Sequence, residues 1–255
     1  MTNSNNLIDS LEVYVLNNPD DVKPHWVSHF IVPTANELLI KIKNKNGNSG
    51  FGLATSYSDI SPIIKPFSNG LEDFIIGQDP FCPEKIYESI SKLTDTRISS
   101  EKGWGKEALI RISAALDIAC WDLMGKSSNI PLYKLFGGYR NKIPVYVTCG
   151  YYREGKTETE LREELKKLIE IGHQSFKVKV GGLTIKEDAK RLEIIRDVIG
   201  QDKALMIDVN RAWDLKTAIE GIEEFKKFNP AWIEEPLRWE DDRRTLKLLS
   251  KQTNI

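Results

Sequence analysis

The sequence predicts an α+β segment reaching to about Tyr139, followed by a run of βα units that builds a parallel sheet. Three observations carry this. The first segment shows strand patterns early and helix patterns later. After Ile143 the pattern becomes a regular alternation, with Ile143–Cys149, Ser175–Val180, Ala204–Val209 and Ala231–Glu234 as strands and a helix-period segment after each. Lys177, Asp208 and Glu234 are separated by 31 and 26 residues, the period of one strand plus one crossover helix. Four such units predict parallel strands joined by right-handed crossovers.

Taken in order, Leu11, Val13 and Val15 alternate as in a half-buried strand. Leu38–Ile42 and Phe51–Ala54 flank a polar stretch containing Asn46-Gly47, the signal of a hairpin. Pro83 opens a short helix. From Gly105 a longer helix carries Leu109, Ile112, Leu116, Ala119, Cys120 and Leu123 on one stripe, and Gly125 is expected to end it.

With 255 residues, 40% apolar and 29% charged, the chain is long enough for two domains or one large α/β domain with a real core, and disorder is disfavoured. The 36 Lys+Arg against 37 Asp+Glu leave a charge of −1, which gives no bulk electrostatic footprint for nucleic acid or an anionic membrane. Cys82, Cys120 and Cys149 are widely spaced, arguing against a disulfide framework or a thiolate zinc site. The first residues lack a basic region followed by an apolar core, and no run of ~18 apolar residues occurs. A cytoplasmic protein that neither spans a membrane nor binds nucleic acid is expected.

The alternation within the later strands says more. Phe176, Val178 and Val180 share one face, and Lys177 and Lys179 the other. Leu205, Ile207 and Val209 likewise point one way, leaving Asp208 and Asn210 opposite them at the strand's carboxyl end, with Glu234 placed similarly. Parallel strands normally read as continuous apolar runs, so inward lysines and acids need a partner or a metal. In a (β/α)₈ barrel the carboxyl ends of the strands form the active-site face, where Lys179, Asp208, Asn210 and Glu234 fall.

Carboxylates from adjacent strands suit a hard cation such as Mg²⁺. Two lysines at i, i+2 lower each other's pKa, so that one can act as a neutral base. A base facing a metal-held carboxylate can remove the proton from the adjacent carbon, giving an enediolate. The alternative for the same four residues is a set of plain salt bridges that neutralises the interior. Other candidates are weaker. His25 and His29 have i, i+4 spacing, but Pro24 suggests a loop leading into a strand. Gly181-Gly182 reads as a βα turn rather than a phosphate cradle, and Cys149 as a buried thiol rather than a nucleophile. Glu240-Asp241-Asp242 reads as acids at a helix start rather than a metal cluster.

These residues carry a family resemblance. Ala114–Lys126 resembles the signature helix of the mandelate racemase/muconate lactonizing enzyme family, within the enolase superfamily. Pro131-Leu132-Tyr133, Leu135–Gly138, Lys177-Val178-Lys179, Asp208-Val209-Asn210 and Trp232–Pro236 are similar to that family's motifs in order and spacing. The resemblance implies an α+β capping domain over 1–140 and, over 141–255, the first half of a (β/α)₈ TIM-type barrel, four βα units with the C-terminal half missing. Loops near Pro19–Phe30 and Phe51–Ser58 would close over the substrate and set specificity. Asp208 and Glu234 would be Mg²⁺ ligands, Lys179 the base, Lys177 its tuning neighbour, and Asn210 a contact to substrate.

In that family a third acidic ligand ends the fifth strand and a second acid/base follows later. Continuing the period places the third ligand beyond Ile255, so a truncated reading frame is expected. The reading is a Mg²⁺-dependent enzyme acting on a small carboxylate, an acid-sugar dehydratase of the mandelate racemase type, as the Lys-x-Lys pair and the Trp232–Asp242 run suggest. Racemisation, epimerisation or cycloisomerisation is the alternative within enzymes. A non-catalytic half-barrel is the alternative outside them, and the 255-residue chain alone is expected to be inactive. The resemblance implies a homo-oligomeric parent.

Overall fold

The computed structural model describes residues 4–17, 23–32, 36–56, 59–241 and 243–255. In chain order, β1 (Ile8–Leu16) precedes the short strands β2 (His25–Trp26) and β3 (Ile31–Val32), then β4 (Asn36–Asn44) and β5 (Ser49–Ser56). Five helices follow: α1 (Ser61–Ser68), α2 (Pro83–Ser91), α3 (Arg97–Lys102), α4 (Lys106–Ser127) and α5 (Leu132–Leu135). The remainder alternates: β6 (Val147–Cys149), α6 (Glu158–Glu170), β7 (Ser175–Lys179), α7 (Ile185–Ile199), β8 (Ala204–Asp208), α8 (Leu215–Phe225), β9 (Ile233–Glu234) and α9 (Arg243–Ser250). The chain divides into two compact units, 1–22 with 34–142, and 23–33 with 143–255.

In the first unit β1, β4 and β5 form an antiparallel sheet, with β4 central. Leu38, Ile40 and Ile42 on β4 are fully buried, and Leu11 and Val13 of β1 pack at the edge of that core, whereas Val15, the third residue of the expected alternation, is exposed. The hairpin turns through Gly47, whose φ of 85° lies in the left-handed region. Helix α4 lies directly on β5. A Cβ at Gly50 or Gly52 would overlap the Ala119 and Ala115 carbonyl oxygens, so two glycines on the strand permit the approach. The stripe Leu109, Ile112, Leu116, Ala119, Cys120 and Leu123 is buried, as its spacing indicates.

Gly125 does not end α4, which runs on to Ser127. A Cβ there would stand 3.1 Å from the Ile130 carbonyl oxygen and from the Leu132 side chain, so this glycine makes room for the returning chain rather than stopping the helix. Phe51–Ser56 is not a loop either. It is β5, paired residue by residue with β4 from Asn36↔Ser56 to Lys43↔Ser49. Tyr57 and Ser58 lie outside the described residues, as do residues 19–22 of the other expected loop. Residues 23–30 of that loop hold β2, which pairs with β3 just beyond it, and Trp26 bridges Tyr152 through two backbone hydrogen bonds of 2.9 and 3.1 Å.

The second unit holds the parallel sheet, in the order β6-β7-β8-β9. Phe176, Val178, Val180, Leu205, Ile207 and Val209 meet Leu161, Leu165, Leu192, Ile195, Ile222 and Phe225 of the helices in one core. Capping boxes start α6 (Thr157 with Glu160) and α7 (Thr184 with Glu187), and the Asp214 side chain caps α8. β6 is shorter than its sequence pattern. Val147 stands opposite Phe176, so residues 143–145 would face the turn before β7 and find no partner, and Ile143 and Val145 are exposed.

Candidate active site

Three adjacent strands bring the inward charges together. Lys179 pairs in register with Asp208, and Asp208 with Glu234. Lys177, Lys179 and Asp208 are all buried, at 8%, 6% and 1% exposure, so each charge needs a partner at hand. Lys179 Nζ donates to Asp208 Oδ2 at 2.7 Å. Lys177 Nζ donates to Glu234 Oε1 at 2.8 Å and lies 3.4 Å from Asp208 Oδ2. The other Asp208 oxygen, Oδ1, accepts the Asn210 backbone N–H at 2.9 Å. Asn210 itself stands just past the strand in left-handed backbone, φ 49°, with its side-chain oxygen buried and without a hydrogen-bond partner.

The salt bridges weighed in the sequence are therefore formed, by the same four groups that would bind metal and substrate. One electrostatic expectation is corrected. Burial acts to lower the Lys177 pKa, but the hydrogen bond to Glu234 and the charges of Asp208 and Glu234 outweigh it, so the Lys177 pKa is raised rather than lowered.

The donor set suits a hard cation. Two carboxylates sit side by side on β8 and β9, and the unpartnered Asn210 side-chain oxygen adds a third oxygen close in sequence. Among the described residues no group of three His, Cys, Asp or Glu side chains gathers to hold a metal.

The sequence reading missed the aromatic and polar groups around this cluster. Tyr146 sets its ring 5.3 Å from Lys177 Nζ, and Tyr151 sets its ring 5.3 Å from Lys179 Nζ. Trp232 packs edge-on against Tyr146 and places Nε1 3.4 Å from Glu234 Oε2. Behind Lys179 lies a buried network. Asp188 accepts from Tyr152 at 2.6 Å, from Arg191 at 2.8 Å and from the Gly181 backbone at 2.7 Å. Arg191 also donates to the Lys179 and Gly150 carbonyl oxygens at 3.0 and 2.7 Å, tying the ends of β6 and β7 to α7. An Asp and an Arg three apart on a helix look like a solvated pair, and nothing in the sequence separates this pair from the others.

The weaker candidates resolve one by one. The Gly181 and Gly182 amides are taken by Asp188 and by the Tyr152 hydroxyl, leaving no phosphate cradle. Burial pushes the Cys149 thiol up to about 12, and the three cysteines are free. His25 is on β2 and His29 in the bend after it, so their spacing gives no shared helix face. His25 packs its ring on Tyr151, and burial, then the Lys156 charge, lowers its pKa. Glu240 and Asp241 precede α9, whose first described turn contains no acid, and Asp242 lies outside the described residues.

The chain is similar to known proteins over most of its length. The family model for the mandelate racemase / muconate lactonizing enzyme N-terminal domain matches residues 10–137, and the enolase C-terminal domain-like model matches 160–255. Arabinonate dehydratase of Saccharolobus solfataricus is 29% identical over 202 residues, 79% of this chain and 52% of that protein. L-talarate/galactarate dehydratase of Salmonella typhimurium is 32% identical over 203 residues, 78% of this chain and 48% of that protein. The chain thus spans about half the length of these relatives. Epimerases and a cycloisomerase are also among the relatives. A racemase from Streptomyces coelicolor A3(2), solved with bound magnesium, superposes with a TM-score of 0.83 at 26% identity, covering 97% of this chain and 67% of that one. No described helix is long and apolar enough to cross a membrane. An inward Lys-x-Lys, Asp-x-Asn and Glu at the carboxyl ends of successive parallel strands, with both domain models matching in order, means that the chain belongs to the mandelate racemase/muconate lactonizing enzyme family of the enolase superfamily.

Proposed function

We propose that this chain supplies the capping domain, over 1–140, and the first barrel units, over 141–255, of a cytoplasmic, Mg²⁺-dependent acid-sugar dehydratase. The observation that carries the reading is the buried cluster in which Lys177 and Lys179 lie within 3.4 Å of the carboxylates of Asp208 and Glu234. Asp208 and Glu234 are the ligands of the ion. Mg²⁺, when bound, supplies the positive charge that offsets the negative charge developing on the substrate carboxylate.

In this reading Lys179, which donates to Asp208, is the base that takes the proton α to the substrate carboxylate. The electron pair left on the α-carbon forms the enediolate and then expels the β-hydroxyl, which leaves as water with the proton that Lys179 took, and the resulting enol becomes the 2-keto-3-deoxy acid. Lys177 stays charged beside Lys179 as its neighbour in the cluster. Asn210 holds the substrate, and the rings of Tyr146 and Tyr151 keep both ammonium groups out of water.

The test uses the intact protein with Mg²⁺ in D₂O, following loss of the α-proton signal and appearance of a keto acid across a panel of aldonates and aldarates. Lys179→Ala is expected to slow both by about 10³-fold or more while substrate still binds. Exchange at the wild-type rate in that variant sinks the assignment. Exchange without keto acid transfers the reading to a racemase or epimerase, which the epimerase relatives favour as the second choice.

A further inference from the structure

Beside the carboxyl ends of β8 and β9 the second unit holds a cavity of about 370 Å³, lined by His29, Arg211, Ala212, Arg238, Trp239 and Glu240. None of these residues belongs to the lysine–carboxylate cluster. Arg211 is nonetheless three residues from Asp208, so their Cα atoms are at most about 11 Å apart. Two guanidinium groups and an imidazole line the cavity against one carboxylate, Glu240, which is exposed at its rim where water screens it.

The backbone here is unusual. Asn210, Arg211 and Glu235 all have positive φ, at 49°, 65° and 43°, a conformation that is strained for non-glycine residues and collects at functional sites. Arg211 N–H donates to the Glu235 carbonyl at 2.7 Å, and Ser28 Oγ donates to the Asn210 carbonyl at 3.3 Å, holding the turn.

What the turn presents is a stacked, desolvated arginine. The Arg211 guanidinium carbon lies 3.8 Å from the Trp239 ring centroid and 5.9 Å from that of Phe30, and the side chain is 17% exposed. Its Nε is buried and makes no hydrogen bond; Glu235 Oε2 stands 3.4 Å away as an ion-pair partner without hydrogen-bond geometry. Among the described residues the Arg211 guanidinium donates no hydrogen bond to the protein. A planar fork packed on the Trp239 ring, with no donor engaged among the described residues, is organised to receive a carboxylate through two parallel bonds.

We propose that this cavity binds a second carboxylate at the far end of the substrate, so that the acid sugar is a dicarboxylate and Arg211 is its specificity-determining residue. The inference rests on the acid-sugar reading above and narrows it.

The experiment measures, for the intact protein with Mg²⁺, turnover and calorimetric binding of D-galactarate and of D-galactonate, which lacks the far carboxylate. Wild type, Arg211→Met and Trp239→Ala are compared. Wild type is expected to favour galactarate, and Arg211→Met to reduce the galactarate-to-galactonate ratio by about 30-fold, the loss of one strong charged hydrogen-bonded contact. Trp239→Ala, at a side chain 80% exposed, moves the ratio the same way and carries the test if Arg211→Met does not fold. No preference in wild type, no binding of either acid, or an unaltered ratio in the variants overturns the proposal. Turnover without a dicarboxylate preference removes this subsite and leaves the dehydratase reading standing. Preferential binding lost in Arg211→Met, with no turnover of either acid, removes the dehydratase reading and leaves the subsite.

Discussion

Asp208 lies between both lysines: one oxygen accepts from the backbone two residues on, and the other accepts from Lys179 and faces Lys177. At 1% exposure its charge is stabilised only by these partners. Asp208→Asn therefore leaves two buried ammonium groups short of a counter-charge and is expected to destabilise the fold by about 3 kcal/mol in a denaturant melt. Adding Lys179→Met should restore part of that loss; a double variant less stable than either single change would show that the pair is not the source. The cysteines give a second check. Burial pushes the thiols of both Cys120 and Cys149 up to about 12. At pH 8, four units below that value, only about one such thiol in 10⁴ is ionised, so an alkylating reagent should modify exposed Cys82 and spare the other two until unfolding. Rapid labelling of Cys149 in the native protein would reopen its case as a nucleophile. At this scale the sequence made the charged residues legible, because a lysine or acid at an inward strand position is visible in the alternation. Tyr151 and Arg191 were not, because ring contacts and carbonyl contacts depend on chain segments far away.

Elements were read to different depths. The strand pattern of Phe176, Val178 and Val180 against Lys177 and Lys179 carried straight into the structure, since a period of two is a local property of the backbone. Helix α7 announced itself with Thr184 and Glu187, whose reciprocal capping bonds are formed. Thr184→Ala removes the cap acceptor and should cost about 1 kcal/mol, measurable as a lower unfolding midpoint. The glycines were harder to read. Gly125 looks like a helix stop by its type alone, while its use is to admit the chain around Ile130 and Leu132. Gly52 has no local signature either, yet an alanine there collides with the α4 backbone, which cannot give way as a flexible side chain would. Gly52→Ala is expected to destabilise by about 3 kcal/mol, whereas Gly47→Ala meets no atom within 4 Å and carries only the strain of its positive φ. Equal losses at the two positions in parallel thermal melts would overturn the close-approach argument.

At the level of the whole molecule, binding Mg²⁺ to the folded state alone raises stability by about 2.7 kcal/mol when the ion is at 100 times its Kd. A rise of the melting temperature with added Mg²⁺, reversed by a chelator and absent in the Asp208→Asn/Glu234→Gln variant, is the expected outcome. A rise that persists in that variant would place the ion elsewhere. The fold class, the four successive βα units and the identity of the inward charges were legible in the sequence, because strand and helix periods and the βα spacing are properties of short stretches of chain; the order of the strands came from the structure. The three-dimensional packing was needed to show that Lys177 pairs with Glu234 and Lys179 with Asp208, that Arg191 grips the carbonyl of Lys179, and that Arg211 packs near Phe30 and Trp239 with no hydrogen bond donated among the described residues. These contacts depend on strand register and on turns that bring residues up to 181 positions apart within a few ångströms, and no local pattern records such a distance.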